Sequence, residues 1–96
     1  MLLLNVTYTM KPGMRETFLQ NVQAQGILDA VRHEEGCLQY DYYLPVEASD
    51  TLLLVERWRD QAAQQVHLTT PHMAQLGKIK EQCVLHTQIV SATVAE

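Results

Sequence analysis

The stretch Thr51-Leu52-Leu53-Leu54-Val55-Glu56-Arg57-Trp58 is apolar at both odd and even positions from Leu52 to Val55 and turns polar only at Glu56. Strand side chains alternate between the two faces of a sheet, so an apolar run without alternation belongs to a strand covered on both sides. Upstream, Cys37 to Leu44 is rich in Tyr and Leu, and Pro45 with Glu47-Ala48-Ser49-Asp50 marks a hairpin-like connection into Thr51. Residues 37–44 and 51–58 therefore read as two successive strands.

Further outward, Leu2 to Met10 reads as a first strand that stops at the turn signal Lys11-Pro12-Gly13. Met14, Phe18, Val22, Leu28 and Val31 recur at helical spacing up to about His33, with a kink or break predicted near Gly26. Glu34-Glu35-Gly36 closes that helix, glycine being the residue that readily takes a left-handed conformation after a last turn. Downstream, Asp60 is a candidate N-cap for an amphipathic stretch through Ala62, Ala63, Val66, Met73, Leu76 and Ile79. Pro71 lies inside it, so the helix must kink or restart there. Val84 to Val94 alternates and forms a fourth strand.

The order β-α-β-β-α-β specifies an α+β, ferredoxin-like fold, with helices on one face of a four-stranded antiparallel sheet. Two helices cover one face only, yet Val6, Tyr8, Leu53, Val55, Ile89 and the tyrosines are divided between both. The open face is thus predicted to be apolar and to need a partner, most simply a second copy about a two-fold axis, giving a homodimer.

The whole chain, 96 residues and 10.9 kDa, fits a single domain over 1–96 and is too short for separate cofactor and substrate lobes. A net charge of −4 with scattered Lys and Arg removes the electrostatic footprint of a nucleic-acid binder. The longest apolar runs, Met1 to Leu4 and Leu52 to Val55, fall far short of the roughly 20 residues that span a bilayer. The N-terminus lacks the features of a signal peptide, so the expected location is cytoplasmic, with no membrane partner. Cys37 and Cys83 show no Cys-x-x-Cys spacing and read as reduced structural thiols.

For chemistry, alternation places Leu54, Glu56 and Trp58 on one face of the third strand and Asn5, Thr7 and Thr9 on one face of the first. If these faces look toward the helices, polar groups enter the space between the layers and must find a partner or a ligand. Trp58 can equally be a core anchor with its indole N–H paired, and Glu56 a rim carboxylate paired with Lys or Arg. His67 and His72 are five residues apart across Pro71, not the i, i+4 spacing of a zinc-binding helix, and His33-Glu34-Glu35 is not followed by a second His. No metal site is expected. His72 and His86 on their own read as structural or surface residues, whereas Val66, Met73 and Leu76 place His67 near the buried edge of its helix. No Gly-x-Gly-x-x-Gly, phosphate loop or Gly-x-Ser-x-Gly elbow is present, so no bound nucleotide or flavin is implied.

The strings Glu34-Glu35-Gly36-Cys37-Leu38-Gln39-Tyr40, Glu56-Arg57-Trp58-Arg59-Asp60, Ala62-Ala63 and His67-Leu68-Thr69-Thr70-Pro71-His72 together resemble the antibiotic biosynthesis monooxygenase family. The resemblance implies a dimeric α+β barrel with a pocket in each subunit between sheet and helices. Members of that family include oxygenases that use no metal, flavin or haem and act on quinols and polycyclic phenols. Carried onto these residues, it implies His67 as base or orienting donor, Glu56 as its partner and Asn5 as an oxyanion- or dioxygen-facing donor. Trp58, Tyr42, Tyr40, His72 and Met73 become substrate-binding residues, with a small aromatic or quinol substrate and dioxygen as partners and no cofactor. The haem-degrading branch is similar only at Asn5, with His67 where that branch carries Trp and Leu76-Gly77 where it carries His. A branch that isomerises a phosphorylated quorum-sensing signal shares the Thr-Pro-His string and is the alternative, as is a non-catalytic dimer that binds a hydrophobic ligand.

Overall fold

A computed structural model describes residues 1–95 and shows the sheet order β2-β3-β1-β4, all antiparallel, built from β1 (Leu2–Met10), β2 (Cys37–Tyr43), β3 (Thr51–Trp58) and β4 (Val84–Thr93). This is the ferredoxin-like arrangement, β3 lying between β1 and β2. Both predicted helices are broken in two. The first becomes α1 (Arg15–Ala24) and α2 (Ile27–Arg32), separated at Gly26, whose φ of 67° would be strained for any side-chain-bearing residue.

The second becomes α3 (Gln61–His67) and α4 (Pro71–Cys83). Asp60 caps α3 by accepting from the Ala63 N–H at 2.9 Å, and Pro71 opens α4 at its first turn, where its missing N–H removes no helical bond. The restart turns Val66 outward, so this residue is exposed, contrary to the amphipathic reading, while His67 one residue later is buried.

The register decides which side chains enter the interlayer space. Leu4 pairs with Glu56, Val6 with Leu54 and Leu2 with Trp58, so the even-numbered residues of β1 and β3 share the helix-facing side. Leu4, Val6, Tyr8, Met10, Leu52, Leu54 and Trp58 are buried there beneath Phe18, Val22, Ile27, Val31, Leu76 and Ile79. Asn5, Thr7 and Thr9 consequently lie on the opposite, open face. That face is mixed rather than apolar. Leu3, Leu53, Val55 and Val90 are interspersed with Asn5, Thr7, Arg57 and Gln88, following the same register.

The helix layer leaves β4 largely uncovered. Thr87 and Ile89, the partners of Tyr8 and Val6, stand on the helix-facing side yet are exposed. Cys37 is half-buried and Cys83 buried, both as free thiols. No helix among the described residues is long and apolar enough to cross a membrane.

Candidate active site

His67 ends α3 inside the protein, with only 1% of its surface exposed. The ring lies against Trp58, with centroids 4.5 Å apart, and against the edge of Tyr40 at 5.8 Å. Its Nδ1 is 2.7 Å from Glu34 Oε2, and the same oxygen is 2.8 Å from His72 Nε2. A carboxylate only accepts, so both ring nitrogens donate to it. The Nδ1 proton fixes the tautomer of neutral His67 and leaves the Nε2 lone pair turned toward the interlayer space, 3.9 Å from Glu56 Oε1.

Glu56 is 7% exposed, and its Oε1 accepts the indole N–H of Trp58 at 3.0 Å. Burial pushes its carboxyl above the ordinary range, against the opposing pull of the Trp58 hydrogen bond and of His67 and Lys80. No Lys or Arg lies within ion-pair distance of Glu56 among the described residues, so the rim ion pair is not formed. Trp58 is fully buried with its indole N–H paired, so the core-anchor reading holds.

Between sheet and helices lies a cavity of about 90 Å³. Tyr8, Tyr40, Glu56, His67, Met73 and Lys80 face it, and exposed Leu68, Thr87 and Ile89 form its mouth on the β4 side. Burial raises the Tyr8 and Tyr40 phenols well above their ordinary pKa, so both stay neutral hydrogen-bonding groups.

Of the residues singled out in the sequence, His67, Glu56, Tyr40 and Met73 converge at this cavity, while Trp58 is buried behind it against His67 and Glu56. Tyr42 stands one layer back, edge-on to Phe18 and Tyr40, its buried hydroxyl without a hydrogen bond of good geometry. His72 lies beyond Glu34 and reaches the site only through that carboxylate. Asn5 is exposed on the other side of the sheet, so in this chain it does not face the cavity. β1 begins with Leu2 paired to Trp58, and that register sends odd positions outward.

Two participants were not legible in the sequence. Glu34 reads as part of a helix-closing string, and only the turn at Gly36 (φ 83°), which leads the chain into β2, explains how it reaches α3 and α4. Lys80 reads as a polar position on an amphipathic helix. The helical spacing from Leu76, one turn away, was the available signal that it faces inward.

Glu34, His67 and His72 offer three potential metal-ligand atoms within 4.8 Å of one another. The two contacts of 2.7 and 2.8 Å are hydrogen-bond lengths, shorter than the roughly 3 Å ligand separations that a coordination radius of about 2.0–2.2 Å imposes. The arrangement fits one acceptor between two donors better than an ion.

Residues 1–78 match the antibiotic biosynthesis monooxygenase family. The chain belongs to that family. It is 38% identical over 72 residues to "Putative monooxygenase YcnE" of Bacillus subtilis (strain 168), covering 75% of this chain and 74% of that protein. Among solved structures, PA3566 from Pseudomonas aeruginosa is 29% identical, with a TM-score of 0.87 over 99% of this chain and 94% of that one. Rv0793 from Mycobacterium tuberculosis, at 20% identity and TM-score 0.85 over 99% and 95% of the two chains, shares the fold. Within this family framework, the His67–Glu34–His72 array and the cavity beside it are the features of this chain that could support chemistry.

Proposed function

We propose that this member of the family is a cofactor-independent monooxygenase of a small quinol or phenol, working as a homodimer with one site in each subunit. The observation that carries the reading is the state of His67: Nδ1–H anchored on Glu34 and Nε2 free at a cavity walled by Tyr40 and Tyr8. Such an imidazole is a general base with its acceptor nitrogen where a substrate hydroxyl can reach it. Removing that proton makes the ring electron-rich enough to pass one electron to dioxygen, giving a substrate radical and superoxide. Their combination forms a peroxide that loses water and leaves one oxygen atom on the ring. Their separation, with a second electron and the protons following, yields a quinone and hydrogen peroxide. The substrate supplies every electron in both outcomes.

Size selects the substrate. An apolar cavity of about 150 Å³ holds benzene, so 90 Å³ takes one aromatic ring only if Leu68 and its neighbours at the mouth give way or the ring protrudes over β4. A single ring is therefore favoured over polycyclic phenols. The homodimer is supported by the open sheet face, where Leu3, Leu53, Val55 and Val90, interspersed with polar side chains, are left without a covering layer.

The test is oxygen uptake and absorbance with a panel of single-ring quinols and phenols. Oxidation above buffer background, reduced about 10²- to 10⁴-fold in His67→Ala, supports the reading. No oxidation of any member by folded protein overturns it and leaves ligand binding without turnover. A solution mass near twice 10.9 kDa supports the dimer, and a mass of 10.9 kDa refutes it.

A further inference from the structure

Charge inside the cavity is unevenly matched. Lys80, on the last turn of α4, is half-buried and places its Nζ 5.4 Å from the centroid of the Tyr8 ring, on the cavity wall. No carboxylate lies within 4.0 Å of this ammonium among the described residues, and none of the described hydrogen bonds uses it. An exposed lysine would be hydrated and a structural one paired. This one rests on an aromatic face, which compensates a cation only in part.

The groups that face it are Tyr8 from β1, Tyr40 from β2, Glu56 from β3 and His67 from α3. Glu56 is the one acid among them, and its Oε1 is already occupied by the Trp58 indole N–H. Burial lowers the Lys80 pKa while Glu56 opposes the shift. Asn5, the donor expected to hold an oxyanion, lies on the far side of the sheet, so that role is open.

We propose that the Lys80 ammonium is the anion-holding group of the interlayer cavity, and that the cavity takes its aromatic ligand as a phenolate or quinolate with the charged oxygen on Nζ. This rests on the reading of the cavity as the substrate site. It adds a direction for a quinol: the ring lies between the Tyr8 and Tyr40 walls, its anionic oxygen toward α4 and its second hydroxyl, the one His67 deprotonates, toward Nε2. A charge-assisted hydrogen bond to a phenolate also lowers the energy of the electron-rich form that dioxygen oxidises.

The probe is 4-nitrophenol, whose visible band appears on ionisation. Binding to the parent protein is followed by that band and by calorimetry across the probe's titration range. The expected result is preferential binding of the phenolate, seen as a lowered apparent pKa of the bound probe. Lys80→Met should weaken phenolate binding about 10- to 100-fold, the loss of one charge-assisted hydrogen bond, and abolish the shift. Lys80→Arg should retain most of both, and far-UV circular dichroism checks that each variant is folded. Equal phenolate affinity in folded Lys80→Met, preference of the parent for the neutral phenol, or no binding by the parent each overturn the proposal. Lys80-dependent phenolate binding without oxygen uptake from any quinol would remove the oxygenase reading and leave the anion site standing. Turnover with phenolate binding indifferent to Lys80 would do the reverse.

Discussion

Glu34→Gln isolates what the double hydrogen bond on one carboxylate oxygen contributes. Glutamine is nearly isosteric, and its amide oxygen can still accept from His67 Nδ1 and His72 Nε2, so packing is preserved while the charge is lost. In the parent the bonds are short, 2.7 and 2.8 Å, and the His67 end is fully buried. Hydrogen bonds to a charged group contribute about 1.5–3 kcal/mol and neutral ones about 0.5–1.5, a difference of roughly 1 kcal/mol per bond. Two bonds give about 2 kcal/mol, which for a chain of this size lowers Tm by roughly 8–16 °C. Glu34→Ala also strands the buried Nδ1–H, so it should be more destabilised than Glu34→Gln. Urea unfolding at pH 7, followed by the single tryptophan, measures the difference, and quinol-dependent oxygen uptake measures the consequence for His67 as base. With the short bond to a carboxylate replaced by a weaker one to an amide, the imidazole is held less firmly with Nε2 toward the cavity, so turnover should fall about 10-fold or more where the variant remains folded. A Glu34→Gln protein as stable as the parent, with equal turnover, would refute the claim that this carboxylate supports and orients His67.

Four further outcomes follow from named contacts. Glu56 has its pKa raised by burial, so the folded state holds a proton that the unfolded chain releases, and stability falls as pH rises through that window. Glu56→Gln should therefore have a higher Tm than the parent at pH 7, with the gap closing toward pH 4 in a pH series of thermal melts. Gly36→Ala forces a left-handed φ of 83° on alanine and puts its Cβ 2.6 Å from Ala63 Cβ, so chemical denaturation should show a loss of about 2–4 kcal/mol. Asn5→Ala, on the open face, should leave turnover per folded site within about twofold of the parent, because surface changes away from the site have small effects. Equilibrium dialysis with equimolar zinc should show no stoichiometric uptake by Glu34, His67 and His72, and tight binding would replace the hydrogen-bonded reading of that array.

Turn chemistry and periodicity made the fold legible. Lys11-Pro12-Gly13, Gly26, Asp60 and Pro71 each fall where an element starts, breaks or stops, because they act on the backbone next to them. Trp58 and His67 were legible as inward-facing residues for a related reason: a large amphipathic side chain within an apolar pattern is drawn inward. Asn5 was misplaced because alternation says which residues share a face, not which face the helices cover. That choice is made by the pairing of Leu2 with Trp58 across 56 residues of chain. Val66 misled because Pro71 restarts the helix and resets its phase. Glu34 was missed because it works through contacts to α3 and α4, which no local pattern records, and Lys80 because its charge outweighed the helical spacing from Leu76 that turns it inward.

The central claim is that an aromatic ligand binds between sheet and helices beside His67. The protein has one tryptophan, so its indole N–H gives a single resonance in a two-dimensional nitrogen–proton spectrum, and that proton sits on Glu56 at the cavity wall. Titration with a single-ring quinol under anaerobic conditions should move the Trp58 indole signal in a saturable way, together with the His67 and Met73 amides. A quinol that binds and shifts only residues of the open sheet face, leaving the Trp58 indole unmoved, would contradict the account.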